Sequence, residues 1–201
     1  MKRQKEATRN RILDAAEDLF AAKGFDATTV QEISNAARIN KAMIYYYFKD
    51  KEGLLYAVVE RTISHITDAI TTYLDEADIA AEDMGAFLDF YIDFLAQNTN
   101  FVRLMFWEML SGKHLEMIAR NFFLPMFTRT IERFTRWADL GFIRPLSPEH
   151  TLVSIVGMNV FYVFASPLFR KLLNDDPLSS ENLTRRRQEV KELLTDGLFP
   201  R

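Results

Sequence analysis

Apolar residues recur along this chain at intervals of three and four, and strict period-two alternation is nowhere sustained, so the pattern predicts helices throughout. Ile12, Ala15, Ala16, Leu19 and Phe20 mark one helical stripe, and Gly24 is placed to end it. Thr29-Val-Gln-Glu32 has the form of a capping box: the hydroxyl accepts from the amide three residues on, and the carboxylate reaches back. A second helix therefore starts near Val30 and ends near Ala37. Asn40 suits the N-cap of a third, Lys41 to Phe48, and Asp50 that of a long fourth on which Leu54, Val58, Ile63, Ile66, Ile70 and Leu74 keep helical spacing. Further helices are predicted near 84–98, 101–111, 114–140, 148–166 and 180–197, with breaks at Gly112, Gly141, Pro145, Pro148, Pro167 and Pro177. Pro125 cannot donate a backbone hydrogen bond and should kink or divide the third of these. The expected fold is all-α: a three-helix head at 1–55, fused through the fourth helix to a helical body at 56–201.

The second and third helices are short and joined only by Arg38-Ile39-Asn40, the shape of a helix-turn-helix whose second helix enters the DNA major groove. At 100° per residue, Ile44 and Phe48 lie about 40° apart and face inward. Ala42 and Tyr46 lie on the opposite side, with Lys41 and Tyr45 beside them. Lys41 can donate to guanine or phosphate oxygens, tyrosine hydroxyls to phosphate, and the tyrosine rings or the Ala42 methyl can touch a thymine methyl. Lys49, Lys51 and the amides opening the fourth helix would meet the phosphate backbone, and Thr28 and Thr29 could do so at the start of the second helix. This surface predicts a double-stranded DNA partner. On periodicity alone, Tyr45-Tyr46-Tyr47-Phe48 also fits an aromatic packing cluster.

Charge distribution supports the first of these readings. The net charge of −3 divides into +2 over residues 1–55 and −5 over the other 146, and the first eleven residues hold five cations against Glu6. A basic head on an acidic body suits a polyanion partner. With no Cys, disulfide frameworks, thiolate metal sites and cysteine nucleophiles are excluded. Three scattered His, and glycines that never fall two residues apart, leave neither a zinc-hydrolase spacing nor a phosphate-cradling loop. His65 and Asp68 share a helical face, but two ligands make a poor metal site. No enzyme activity and no cofactor are expected. The basic start is not followed by an apolar stretch, which predicts a cytoplasmic protein. Residues 150–169 carry no formal charge and are long enough to span a bilayer, yet Ser154, Asn159, Ser166 and Pro167 favour a helix buried in a bundle, without a membrane.

Ala15-Ala-Glu-Asp-Leu-Phe-Ala-Ala-Lys-Gly-Phe25, Thr28-Thr-Val-Gln-Glu-Ile-Ser-Asn-Ala-Ala37, and Lys41 followed by Tyr45-Tyr-Tyr-Phe-Lys-Asp-Lys-Glu-Gly-Leu-Leu55 together resemble the N-terminal domain of the tetracycline-repressor (TetR) family. The resemblance covers about a quarter of the chain, in register across three helices. It implies an all-helical homodimer that binds near-palindromic operators, with a variable C-terminal domain for ligand and dimerisation. It also implies that Lys41, Ala42, Tyr45 and Tyr46 face DNA, with phosphate contacts from Thr28 or Thr29, Tyr47 and Lys51. Arg38 stands in the turn where the family usually has Gly, and is counted with the DNA-binding residues; in a left-handed conformation it would cost on the order of 1 kcal/mol. Ala42 and Met43 replace the more usual Gly and Thr, and Gly53 stands where an acidic residue often completes a capping box.

The C-terminal half is rich in aromatic residues and Met, which usually form core but also line ligand pockets. Tyr91, Phe94, Arg103, Phe106, Trp107, Phe122, Phe123, Met126, Phe127 and Phe161 are the candidates for binding a small apolar or aromatic ligand, with Arg103 available to a carboxylate or ring heteroatom. The helix from Pro148 is apolar on too many faces for one buried stripe, so Val153, Val156, Val160 and Phe164, with Val190, Leu193 and Leu194 on the last helix, are expected to form a two-fold dimer interface. The expected function is a ligand-responsive transcriptional repressor. A small-molecule binding protein whose head has lost DNA specificity is the alternative, motivated by Ala42 and Met43.

Overall fold

The computed structural model describes residues 2–75 and 81–199, and among them every regular element is a helix. In chain order these are α1 (Lys2–Lys23), α2 (Val30–Ala36), α3 (Lys41–Phe48), α4 (Lys51–Asp75), α5 (Ala81–Gln97), α6 (Thr99–Ser111), α7 (Leu115–Ile118), α8 (Leu124–Asp139), α9 (Pro148–Phe164), α10 (Ser166–Leu173) and α11 (Ser180–Leu198), with a π-helical turn at Ala119–Phe123. The side chains of Lys2 and Leu74 lie outside the described residues.

Two compact units divide the chain, 1–65 with 100–122 and 66–99 with 123–201. The first collects α1 to α3, the start of α4, most of α6, and α7. Its core is the α1 stripe of Ile12, Ala16 and Phe20 with Ile33, Ile44, Phe48, Leu54 and Val58, all buried. Arg61 reaches from α4 to Asp14 and Glu17 of α1 at 2.6 and 2.7 Å.

The second unit packs α5 against α9 and α11, and α8 against α9. Leu88, Ile92, Phe134, Trp137, Ile155, Val190, Leu194 and Leu198 form its core. Beside that core, Lys191 pairs with Asp89 at 2.5 Å and Arg187 pairs with Asp93. Of the neighbouring arginines, Arg185 pairs with Glu181, while Arg186 donates to the Met158 carbonyl and lies 4.8 Å from the Tyr162 ring centroid.

Proline positions decide the breaks. Pro125 sits in the first turn of α8, behind the π-helical turn, so the predicted helix 114–140 is divided there. Pro167 opens α10 instead of ending the helical region, because a first-turn proline forfeits no intrahelical bond. Among the described residues no single helix is long and apolar enough to cross a membrane; α9 and α10 qualify only as a pair bent by 65°.

Candidate nucleic-acid interface

The helix-turn-helix is set by its caps. Thr29 Oγ1 accepts from the Glu32 amide at 3.2 Å, and Glu32 accepts from the Thr29 amide at 2.9 Å, closing the capping box. Lys23 binds the other Glu32 oxygen at 2.5 Å. The Lys23 ammonium, then the Thr29 amide and hydroxyl, hold the Glu32 carboxyl down at a pKa of about 2. After α2 the chain turns through Arg38 at φ 53°, the left-handed conformation in which its Cβ costs about 1–2 kcal/mol. Asn40 then caps α3, its side chain accepting from the Ala42 amide at 2.9 Å.

These caps orient α3. Ile44 and Phe48 are buried, whereas Lys41 and Ala42 are exposed and Tyr45 and Tyr46 keep 46% and 66% of their surface. The Lys41 ammonium lies 5.9 Å from the Tyr45 ring centroid. Arg38, Thr29 and Lys49 are also exposed. Lys41, the Tyr45 and Tyr46 hydroxyls and the Ala42 methyl are thus all exposed on α3.

Three residues expected to touch phosphate make hydrogen bonds within the head. Thr28 is fully buried, and its hydroxyl donates to the carbonyls of Gly24 and Leu19 at 2.8 and 3.2 Å. The Lys51 ammonium donates to the carbonyls of Phe25 and Thr28 at 2.9 and 2.8 Å and sits 4.0 Å from the Phe25 ring centroid. Tyr47 donates its hydroxyl to the Lys5 carbonyl at 3.2 Å. Each ties one segment of the head to another, a role that residue type alone does not reveal.

The junction between α3 and α4 is a γ-turn. Lys49 takes φ 70° and ψ −53°, and the Asp50 amide donates to the Phe48 carbonyl at 2.8 Å. Asp50 Oδ1 then accepts from the Gly53 amide at 2.7 Å. The departure at Gly53 has a steric cause: a Cβ there would lie 2.2 Å from the Phe48 carbonyl oxygen.

Sequence reading missed the brace behind this head. Trp107 of α6 donates its indole N–H to the Ala21 carbonyl at 3.2 Å, and its ring faces Gly24, whose φ of 81° ends α1. Lys113 pairs with Asp26 at 2.7 Å. The His114 ring packs edge-on to Phe25 with centroids 4.4 Å apart, and its Nδ1 meets Glu108 Oε2 at 2.8 Å. Glu108 and His114, six residues apart across the break at Gly112, were the trace of this brace in the sequence.

The ligand candidates fall in both units. In the first unit Arg103 is exposed, Phe106 half-buried, Trp107 engaged as above, and Phe122 packed on Tyr56 at 4.9 Å. In the second, Tyr91 stacks on Phe87 and Phe94 lies beside Phe90, both buried; burial pushes the Tyr91 hydroxyl pKa up. Phe123, Met126 and Phe127 are half-buried, and Phe161 is exposed beside Phe169. A groove of about 360 Å³ lies elsewhere, between the start of α9 and the end of α11, lined by Leu146, His150, Thr151, Ile155, Leu194 and Leu198 among others. None of the ten candidates lines it.

On α9, Val153, Val156 and Phe164 are exposed and Val160 is half-buried, on one stripe with Gly157, in front of which there is open space. On α11 the expected set separates. Leu193 is 63% exposed, but Val190 and Leu194 are 0% and 7% exposed and belong to the protomer's own core. Position 193 lies about 60° or more round the helix from both.

A capped helix pair presenting one open helical face is a helix-turn-helix DNA-binding module, here followed by a helical body. Residues 12–58 match the model for bacterial regulatory proteins of the tetR family, and residues 81–194 match that for the tetracyclin repressor-like C-terminal domain. The chain is 34% identical over 171 residues to the HTH-type transcriptional repressor SCO4008 of Streptomyces coelicolor, covering 85% of each. Its fold is similar to that of the fatty acid degradation regulator FadR from Bacillus halodurans, with TM-score 0.74, 21% identity and 94% and 95% of the two chains covered. It is also similar to that of FadR from Bacillus subtilis, crystallised in complex with stearoyl-CoA, with TM-score 0.72, 20% identity and 93% and 97% covered. The chain belongs to the TetR family, and is a DNA-binding transcriptional regulator, not an enzyme.

Proposed function

We propose that the chain is a repressor that binds a near-palindromic operator as a homodimer and is released by a small, largely apolar molecule, residues 1–55 meeting DNA and 56–201 carrying ligand binding and dimerisation. The open face of α3 over buried Ile44 and Phe48 carries the reading. Lys41, Ala42, Tyr45 and Tyr46 read base edges, and Thr29, Arg38 and Lys49 contact phosphate. Thr28, Tyr47 and Lys51 shape that surface from behind. Two copies joined through the exposed stripe of α9 and Leu193 would present two such helices to half-sites about 34–36 Å apart, or a multiple of that.

Relatives support repression and release: SCO4008 is a repressor by name, and the Bacillus subtilis FadR structure holds an acyl-CoA. Within the body, Trp137 Nε1 and Asn159 Oδ1 are buried without a hydrogen-bond partner, groups that a ligand among apolar helices could engage. A ligand releases DNA only by favouring the dimer whose heads are wrongly spaced.

Selection of duplexes from a random pool tests the reading face. Lys41→Ala and Tyr46→Ala should each weaken the selected complex by about 1–3 kcal/mol for every base edge the side chain had read, and relax the preference at one position per half-site. Unchanged binding by both variants overturns the assignment. Failure of the unaltered chain to enrich any duplex favours the second reading, a ligand-binding protein without DNA specificity, to which exposed Ala42 points. Val153→Arg, placing a charge in the α9 stripe, should shift sedimentation from dimer to monomer and reduce operator affinity; a dimer that survives it shows that this stripe is not the interface.

A further inference from the structure

We propose that Lys5 and Arg9 form a phosphate-binding flank beside α3, held in place by Tyr47. This rests on the reading of α3 as the helix that enters the groove. Lys5, Arg9, Ile12, Ala16 and Phe20 follow one another at intervals of four, three, four and four, so they lie on a single stripe of α1. From Ile12 onward that stripe is the buried core of the head; two turns earlier, where α1 runs past α3, it turns cationic.

Contacts set this cationic end against the last turn of α3, next to the reading face. Tyr47 on α3 donates its hydroxyl to the Lys5 carbonyl at 3.2 Å, and the Arg9 guanidinium lies 5.5 Å from the Phe48 ring centroid. The Tyr47 ring in turn meets that of Tyr46 edge-on, with centroids 5.1 Å apart. Lys23, Arg61 and Lys113 of the same unit are neutralised by carboxylates, whereas neither Lys5 nor Arg9 has a carboxylate partner among the described residues. Uncompensated cations aligned with the recognition helix fit the phosphates that flank the bases it reads, and carry no sequence preference.

The salt dependence of binding measures such phosphate pairing directly. Affinity for a duplex selected by the unaltered protein would be followed by fluorescence anisotropy across a KCl series. Lys5→Ala and Arg9→Ala should each lower the log–log slope by about 0.9 for every phosphate the cation had neutralised, or about 1.8 for a dimer with one such phosphate per head. Both should weaken selected and random duplexes by the same factor. Arg9→Lys keeps the charge and should restore the slope. Arg11→Ala removes an equal charge at least about 120° round α1 and should leave the slope unchanged. Tyr47→Phe frees the flank without removing charge, and should lower affinity while the selected sequence stays the same. A full slope in both alanine variants overturns the proposal, as does an equal loss with Arg11→Ala. If the unaltered chain enriches no duplex, the reading of α3 falls first and takes this proposal with it.

Discussion

Replacing His114 with alanine is expected to cost about 1–3 kcal/mol of stability or more, because it leaves a buried carboxyl group without its hydrogen-bond partner. Glu108 is 2% exposed and His114 9%, and the imidazole Nδ1 at 2.8 Å is the carboxylate's side-chain partner. The ring also packs on Phe25, which lies under the Lys51 ammonium, so its loss loosens the loop that leads into α2. Against a typical total of about 5–15 kcal/mol, that is a measurable share. Urea unfolding should show a lower midpoint at unchanged slope. Glu108→Gln keeps a polar group opposite Nδ1 and should cost less. A Glu108→Leu, His114→Leu double variant should recover most of the stability, since an apolar pair of similar volume needs no partner. A single His114→Ala variant destabilised by under about 1 kcal/mol would show that the pair carries little.

What could be read from the sequence was local. Capping chemistry acts over two or three residues, so Thr29, Glu32 and Asn40 set the helix starts where their side chains said they would. The outward face of α3 follows from the same helical geometry. What could not be read is any use that depends on distant partners. Lys51 looks like a free cation until the Phe25 and Thr28 carbonyls, 26 and 23 residues away, are brought beneath it. Trp107 reaches a carbonyl 86 residues earlier, which no periodicity encodes. On α11 the error was angular: Val190, Leu194 and Leu198 share the core stripe, and Leu193 beside them faces out. The extra helix α10 was concealed by a proline that ends a helix at one position and begins one at another.

Placing an alanine at Gly53 is expected to destabilise the head by about 1–3 kcal/mol or more, although alanine is the better helix former by about 1 kcal/mol. A Cβ would stand 2.2 Å from the Phe48 carbonyl oxygen, which is backbone and cannot rotate aside. That same oxygen accepts the Asp50 amide in the γ-turn at Lys49, so the oxygen can move only if the turn opens. Opening it would uncouple the end of α3 from the start of α4, and operator affinity should fall together with stability. Gly53→Glu, which restores the acidic residue usual in the family, should behave like alanine, because the clash comes from the Cβ and not from the carboxylate. Lys49→Gly, by contrast, relaxes a left-handed residue that costs of order 1–3 kcal/mol, and should stabilise the head in proportion. Combining Lys49→Gly with Gly53→Ala separates the two contributions. If the freed turn makes room for the Cβ, the double variant recovers more than the sum of the single effects, and additivity would instead mean that Gly53 and the turn at Lys49 act independently.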